Sequence, residues 1–139
     1  MMTDIGLPAG WAPRLLSVLR IVSALIFIAH GTQKLLGFPA SERPAPEMGS
    51  LLWFGGLLEL GGGLLLLIGL FTRPVAFILS GMMAVAYWMF HAPQSPFPAV
   101  NMGDAAILYC FVFLYIAAAG PGPWSVDAAR NRDGGAVAR

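Results

Sequence analysis

Apolar residues run through this chain in four long blocks, and polar residues punctuate them. The blocks cover residues 15–36, 48–70, 73–90 and 102–119. Each approaches the ~20 residues a helix needs to cross the hydrocarbon core of a bilayer. The third and fourth are shortest, and fit by tilting little or by extending into their flanks. The punctuation has the chemistry of helix ends. Phe71-Thr72-Arg73-Pro74 reads as a tight turn, with Pro74 in the first turn of the next helix, where its missing N–H costs nothing. Residues 37–47 make a longer connection with three prolines, residues 92–100 form a proline-rich cap, and Gly120-Pro121-Gly122-Pro123 stops the last helix. The pattern predicts an all-α, up-down four-helix bundle lying in a membrane. A single four-span domain covers 1–127, and the polar Gly/Ala-rich residues 128–139 are expected to fray as a flexible cytoplasmic tail.

Composition supports the membrane reading. Of 139 residues, 58% are hydrophobic and 11% are charged. Ordinary soluble domains carry about 25% charged residues, and a chain this short cannot bury so much apolar surface in a water-soluble core. Charge then sets the orientation. With four spans, Arg14, Arg20, Arg73, Arg130, Arg132 and Arg139 fall on one side, against Lys34 and Arg43 on the other. The positive-inside rule places both termini in the cytoplasm of a cell inner (plasma) membrane. The net charge of +1 says nothing about nucleic acid, no basic stripe is present, and no nucleic-acid partner is expected. The single cysteine, Cys110, excludes an intramolecular disulfide and a CxxC pair. The apolar run after Arg14 and Arg20 ends in His30-Gly31-Thr32-Gln33-Lys34, unlike a signal-peptide cleavage site.

Glu59 stands out against this background as the only charge between Leu51 and Phe71. A carboxyl near a membrane midplane is costly unless paired, protonated or wetted. Gly55, Glu59, Gly62 and Gly69 share one face of the second helix, so Glu59 is expected on a packing face. On the first helix His30, Gln33 and Lys34 share a face. His91 closes the third helix, and Asn101 and Asp104 open the fourth. With cytoplasmic termini these groups gather in the outer half, Glu59 lying roughly 15 Å from the outer start of its helix. Lys34 is placed to pair with Glu59 or Asp104, or to snorkel to the headgroups. Asn101 suits a helix cap and Asp104 the positive end of a helix dipole. His30 and His91 are candidates for proton exchange with a ligand.

The expected catalytic set is therefore Glu59, His30 and Asp104, and the expected ligand contacts are Gln33, Lys34, His91, Asn101, Trp53 and Tyr109. Phe27 and Trp88 complete the aromatic walls of the expected pocket. Each group has a plainer reading beside this one: interhelical pairing for Glu59, packing for His30, anchoring for Lys34, surface placement for His91 and dipole stabilisation for Asp104. No HxxxH or ExxH pair lies on any one helix, and no haem or flavin motif is present, so no metal is expected.

These residues fall in an order that resembles the DoxX family of small four-helix membrane proteins. Arg20 opens a first helix that reaches Phe27-Ile28-Ala29-His30-Gly31-Thr32-Gln33-Lys34-Leu35, similar to the family's HGxQK-like segment. Glu59-Leu60-Gly61-Gly62-Gly63 and Gly69-Leu70-Phe71-Thr72-Arg73 follow. Asn101-Met102-Gly103-Asp104 resembles the start of the family's last helix, and Gly120 to Asp127 its GxGxxSLD-like end. The family takes its name from the membrane subunit of an archaeal terminal quinol oxidase, whose relatives act in thiosulfate oxidation coupled to quinone. The resemblance implies a redox-system membrane subunit with a quinone-like ligand and soluble redox partner proteins. Homo-oligomerisation is a further expectation. This chain carries no redox cysteines, flavin motif or haem motif, so electrons would come from a partner. Two other classes stand beside that expectation: a non-catalytic scaffold that anchors redox enzymes, and a small proton-coupled carrier, for which no internal inverted repeat speaks.

Overall fold

A computed structural model of the chain describes residue 6 and residues 8–137. The described residues are helical and contain no strand. Helix α1 spans Trp11–Leu36, α2 Leu51–Ile68 and α3 Thr72–Ala86, which runs on as a π-helical segment, Tyr87–His91. A short α4, Pro98–Asn101, precedes α5, Asp104–Ala119, and α6, Val126–Val137. Three stretches are long and apolar enough to cross a membrane: Trp11–Leu36, Leu51–Ile68 and Thr72–His91. The apolar α5 is shorter, at 16 residues. The outer surface is apolar too: Val22, Ile26, Leu64, Phe77 and Phe111 are each about half exposed or more, as suits a surface facing acyl chains.

The ends of these helices follow from local chemistry. The Ser50 hydroxyl accepts from the Trp53 amide at 3.3 Å and caps α2. Gly37 and Gly69 end α1 and α2 at φ 68° and 69°, a conformation that costs glycine nothing. The Gly/Ala-rich C-terminal stretch, expected to fray, is helical over Val126–Val137. Arg139, counted among the charges that set orientation, lies outside the described residues.

Helix α1 packs on α2, and α3 on α5. The α1–α2 contact is close, backbone on backbone at Gly31 and side chain on glycine at Gly63. A Cβ at Gly31 would sit 2.6 Å from the Leu60 amide nitrogen, and one at Gly63 would sit 2.6 Å from Ile28 Cγ1. The glycine stripe thus differs from the expected one. Gly56 and Gly63 meet α1, Gly62 meets Leu79 of α3, and Gly55 has open space beside it. The reason is that α2 serves two neighbours at different angles around its axis. Its buried residues are Gly56, Glu59, Gly63 and Leu66, so Glu59 does lie on a packing face. Phe27 and Phe113 meet edge to face at 5.0 Å in the core, among Ala24, Leu66, Leu79 and Ile116.

One end of the bundle is closed by charged side chains that cap helices. Arg20, read from sequence as an orienting charge, is wholly buried. Its guanidinium donates to Pro121 O at 2.8 Å, to Leu67 O at 2.7 Å, and to the carbonyls of Leu66 and Trp124. It thereby satisfies the C-terminal carbonyls of α2 and ties down the Gly-Pro-Gly-Pro turn. Arg73 donates to Ala117 O at 3.0 Å and to the Ala118 carbonyl, at the C-terminus of α5. Asp127 accepts from the Phe71 and Thr72 amides at 3.0 and 2.8 Å, at the N-terminus of α3. Cations at helix C-termini and an anion at an N-terminus match the helix dipoles.

Candidate functional site

Away from the arginines, Lys34 near the end of α1 reaches Glu59 on α2. Its Nζ lies 2.5 Å from Glu59 Oε1. Gly56 permits this reach: a Cβ there would press on Lys34 Cβ at 3.1 Å, so the lysine stem lies flat against α2. Glu59 is 4% exposed, and the Lys34 side chain is 29% exposed. The second carboxylate oxygen, Oε2, is buried and receives no hydrogen bond from the described residues. Such an acceptor is costly to leave without a donor.

The pair lies on the wall of a cleft of about 830 Å³, in the seam between the α1–α2 and α3–α5 pairs. His30 stands edge-on to Tyr109, 6.4 Å between ring centroids, and both line the cleft. Tyr109 also packs on Phe27 and Phe113, at 5.2 and 5.4 Å. Gln33 lines the cleft, but its amide donates to Pro39 O at 3.2 Å and steadies the proline-rich loop.

His91 reaches the cleft through the π-helical segment, in which the Ala92 amide bonds Tyr87 O at 2.9 Å. A π turn shifts the register of every side chain beyond it, and such turns recur at functional sites. His91 Nδ1 lies 2.9 Å from Asn101 O. A carbonyl oxygen can only accept, so Nδ1 carries the proton, and Nε2 of the neutral ring is an acceptor.

Asn101, a residue type suited to cap the fourth helix, is instead the last residue of α4 and 1% exposed. Its side chain donates to Ser95 O at 2.8 Å and accepts from Gly103 N at 2.8 Å. It lines the cleft, but its hydrogen-bonding groups are engaged by the protein itself. Asp104 does not join the group. It sits exposed in the first turn of α5, off the cleft wall. Trp53 also lies off the wall and packs edge to face on Phe54, 5.3 Å away. Trp88 is 71% exposed and lines nothing in the cleft.

Sequence reasoning missed Arg43, Gly55, Met82 and Gln94, all on the wall. Arg43 and Gln94 come from loops whose path no periodicity reveals. Arg43 has no carboxylate within ion-pair distance among the described residues. No group of three or more His, Cys, Asp or Glu among the described residues is placed to hold a metal ion.

Known proteins are similar to this sequence. The family model DoxX matches residues 15–92. An uncharacterized protein of Haemophilus influenzae is 43% identical over 122 residues, covering 84% of this chain and 91% of that one. The inner membrane protein YqjF of Escherichia coli K12 is 30% identical over 118 residues, covering 83% of this chain and 91% of its own length. The inner membrane protein YphA of the same organism is 27% identical over 128 residues, covering 83% and 89%. No solved structure matches.

Proposed function

The chain belongs to the DoxX family and is an inner-membrane protein, and from that premise we propose that its cleft binds a quinone-like ligand as part of a membrane redox system. The helices form an up-down bundle with both termini in the cytoplasm, and the cleft lies in the outer half of the membrane. His30 and Lys34 donate hydrogen bonds to the ligand's carbonyl oxygens. Glu59 relays protons between the ligand and the outer face. Electrons come from a soluble partner, because the chain has one cysteine and no flavin or haem motif.

A single observation carries this reading. Glu59, on the wall of a ligand-sized cleft, has one carboxylate oxygen held by Lys34 and the other buried without a donor among the described residues. Ligand sites occupy about 300–1,000 Å³ and combine apolar walls with a few placed polar groups. The engagement of Gln33 and Asn101 by the protein's own backbone favours a second reading, a non-catalytic scaffold in which the polar groups serve only packing.

One titration separates the two. A short-chain quinone is added to the purified protein and to the Glu59→Gln and His30→Ala variants. Loss of affinity in both variants, with helicity intact, is expected. Unchanged affinity in both, with lowered stability of Glu59→Gln, leaves the scaffold standing instead.

A further inference from the structure

At the arginine end of the bundle, away from the cleft, a groove of about 510 Å³ lies against the turn between α2 and α3. Asp127, Arg130 and Asn131 line one side of it. They stand at i, i+3 and i+4 on α6, so they share a face. Asp127 fastens that face to the turn. Its amide donates to Gly69 O at 2.9 Å, and its carboxylate accepts from the Phe71 and Thr72 amides. Arg130 is thereby carried over the Phe71 ring, with 5.7 Å from the guanidinium carbon to the ring centroid. Phe71, Arg73 and Pro74 line the other side. Arg73 gives three of its five N–H groups to the Ala117, Ala118 and Ala119 carbonyls, which leaves two for a further acceptor. No carboxylate among the described residues lies within ion-pair distance of either arginine. Two cations thus line the groove against one carboxylate, and backbone amides already hold both oxygens of that carboxylate. The groove also sits at a telling depth. The membrane-length stretches Leu51–Ile68 and Thr72–His91 meet there, where hydrocarbon gives way to headgroups. Phe77 and Ile78 follow Arg73 and Pro74 at i+4 on α3, and are 65% and 57% exposed. Positive charge at the boundary therefore continues into an apolar strip toward the membrane interior.

We infer that this groove binds one anionic phospholipid. The Arg73 and Arg130 guanidinium groups and the Asn131 amide hold its phosphodiester, and its acyl chains run along α3 over Phe77 and Ile78. Guanidinium forks match phosphate oxygens in geometry as well as in charge. Basic pockets between transmembrane helices serve as headgroup sites for the same reason. A phospholipid uses both the charged and the apolar part of the surface, whereas a free phosphate uses only the first. With Asp127 held by two amides, a zwitterionic headgroup gains no partner for its ammonium, so the groove favours net negative charge. The site is separate from the cleft and stands without the proposed redox role.

The experiment titrates the full chain in nonionic micelles with phosphatidylglycerol and, separately, with phosphatidylcholine of the same chain length. Native mass spectrometry counts the lipids retained. A single phosphatidylglycerol is expected to bind about fivefold more tightly than phosphatidylcholine, the factor that one net arginine charge contributes near a membrane surface. Arg130→Gln is expected to remove that preference. Arg132→Gln, the same charge change off the groove wall, is expected to leave it intact. Inorganic phosphate at constant ionic strength is expected not to displace the lipid. Affinities for the two lipids within about twofold of each other overturn the inference. A preference lost equally in Arg132→Gln overturns it too, because general surface charge then accounts for the binding. Displacement by inorganic phosphate assigns the groove to a free phosphate and overturns the lipid. The comparison of the two lipids is made on the unaltered protein, so misfolding of a variant does not shield the inference.

Discussion

At the scale of single residues, the Lys34–Glu59 pair sets the character of this protein. A carboxylate in apolar surroundings is tolerated because an ammonium lies 2.5 Å from one of its oxygens. Truncating one partner of a buried pair leaves an uncompensated charge, which costs more than the pair contributes. Lys34→Met is expected to destabilise the protein by about 3 kcal/mol, the low end for buried pairs because the lysine is partly open. Lys34→Met combined with Glu59→Gln is expected to cost less than Lys34→Met alone. Unfolding titrations in mixed micelles read both, and a double variant as unstable as the sum of the singles removes the coupling. The sequence indicated that Lys34 and Glu59 could pair. It left Asp104 as an equal candidate, because spacing along a chain does not say which helix faces which.

At the scale of elements, helices here are held by what meets their ends. Asp127, at the start of α6, caps α3 from outside. Burial pushes its carboxyl pKa up, but hydrogen bonds from the Thr72 and Phe71 amides, with the nearby Arg130 charge, outweigh this and hold it below the ordinary aspartate value. A carboxyl with a lowered pKa in the folded state stabilises at pH above its unfolded value of about 3.9. That stabilisation is lost as pH falls through the folded value. Asp127→Ala is expected to cost about 0.5–1 kcal/mol at pH 7, a modest cap because water reaches the carboxyl. The difference between variant and parent should shrink as the pH is taken below about 4. A difference that stays constant from pH 7 to pH 3 would contradict the capping role. The turn at Phe71 to Pro74 was visible in the sequence, but its cap was not, since Asp127 lies 55 residues beyond Thr72.

At the scale of the whole molecule, the two ends have different chemistry. Arg20 and Arg73 satisfy helix carbonyls at one end, with Arg130 beside Asp127, while Lys34, Arg43 and the cleft lie toward the other. The proposed orientation puts the arginine end in the cytoplasm. A fluorescent-protein fusion at the C-terminus is expected to fluoresce, and an alkaline-phosphatase fusion at the same point to be inactive. The opposite pair of results would reverse the bundle and place the cleft on the inner side. Arg20 shows why counting charges is an incomplete guide. It carries an orienting charge in the sequence, but in the fold it is a buried donor to four carbonyls.

Local pattern alone determined the helical class, the apolar runs and the family, because each depends on neighbours within a few residues or on motifs in order. It also marked Glu59, since one charge in a run of apolar side chains is visible without any fold. Tertiary structure alone decided which of the polar groups meet. It brought Lys34 to Glu59, set Asp104 and Trp53 apart, turned His91 into the cleft through a π-helical segment and left Gly55 beside open space. The physical reason is that these outcomes depend on the angle at which one helix packs on another. That angle is set by where the two helices can lie close, backbone on backbone at Gly31 and side chain against glycine at Gly56 and Gly63, rather than by the residues whose chemistry it brings together.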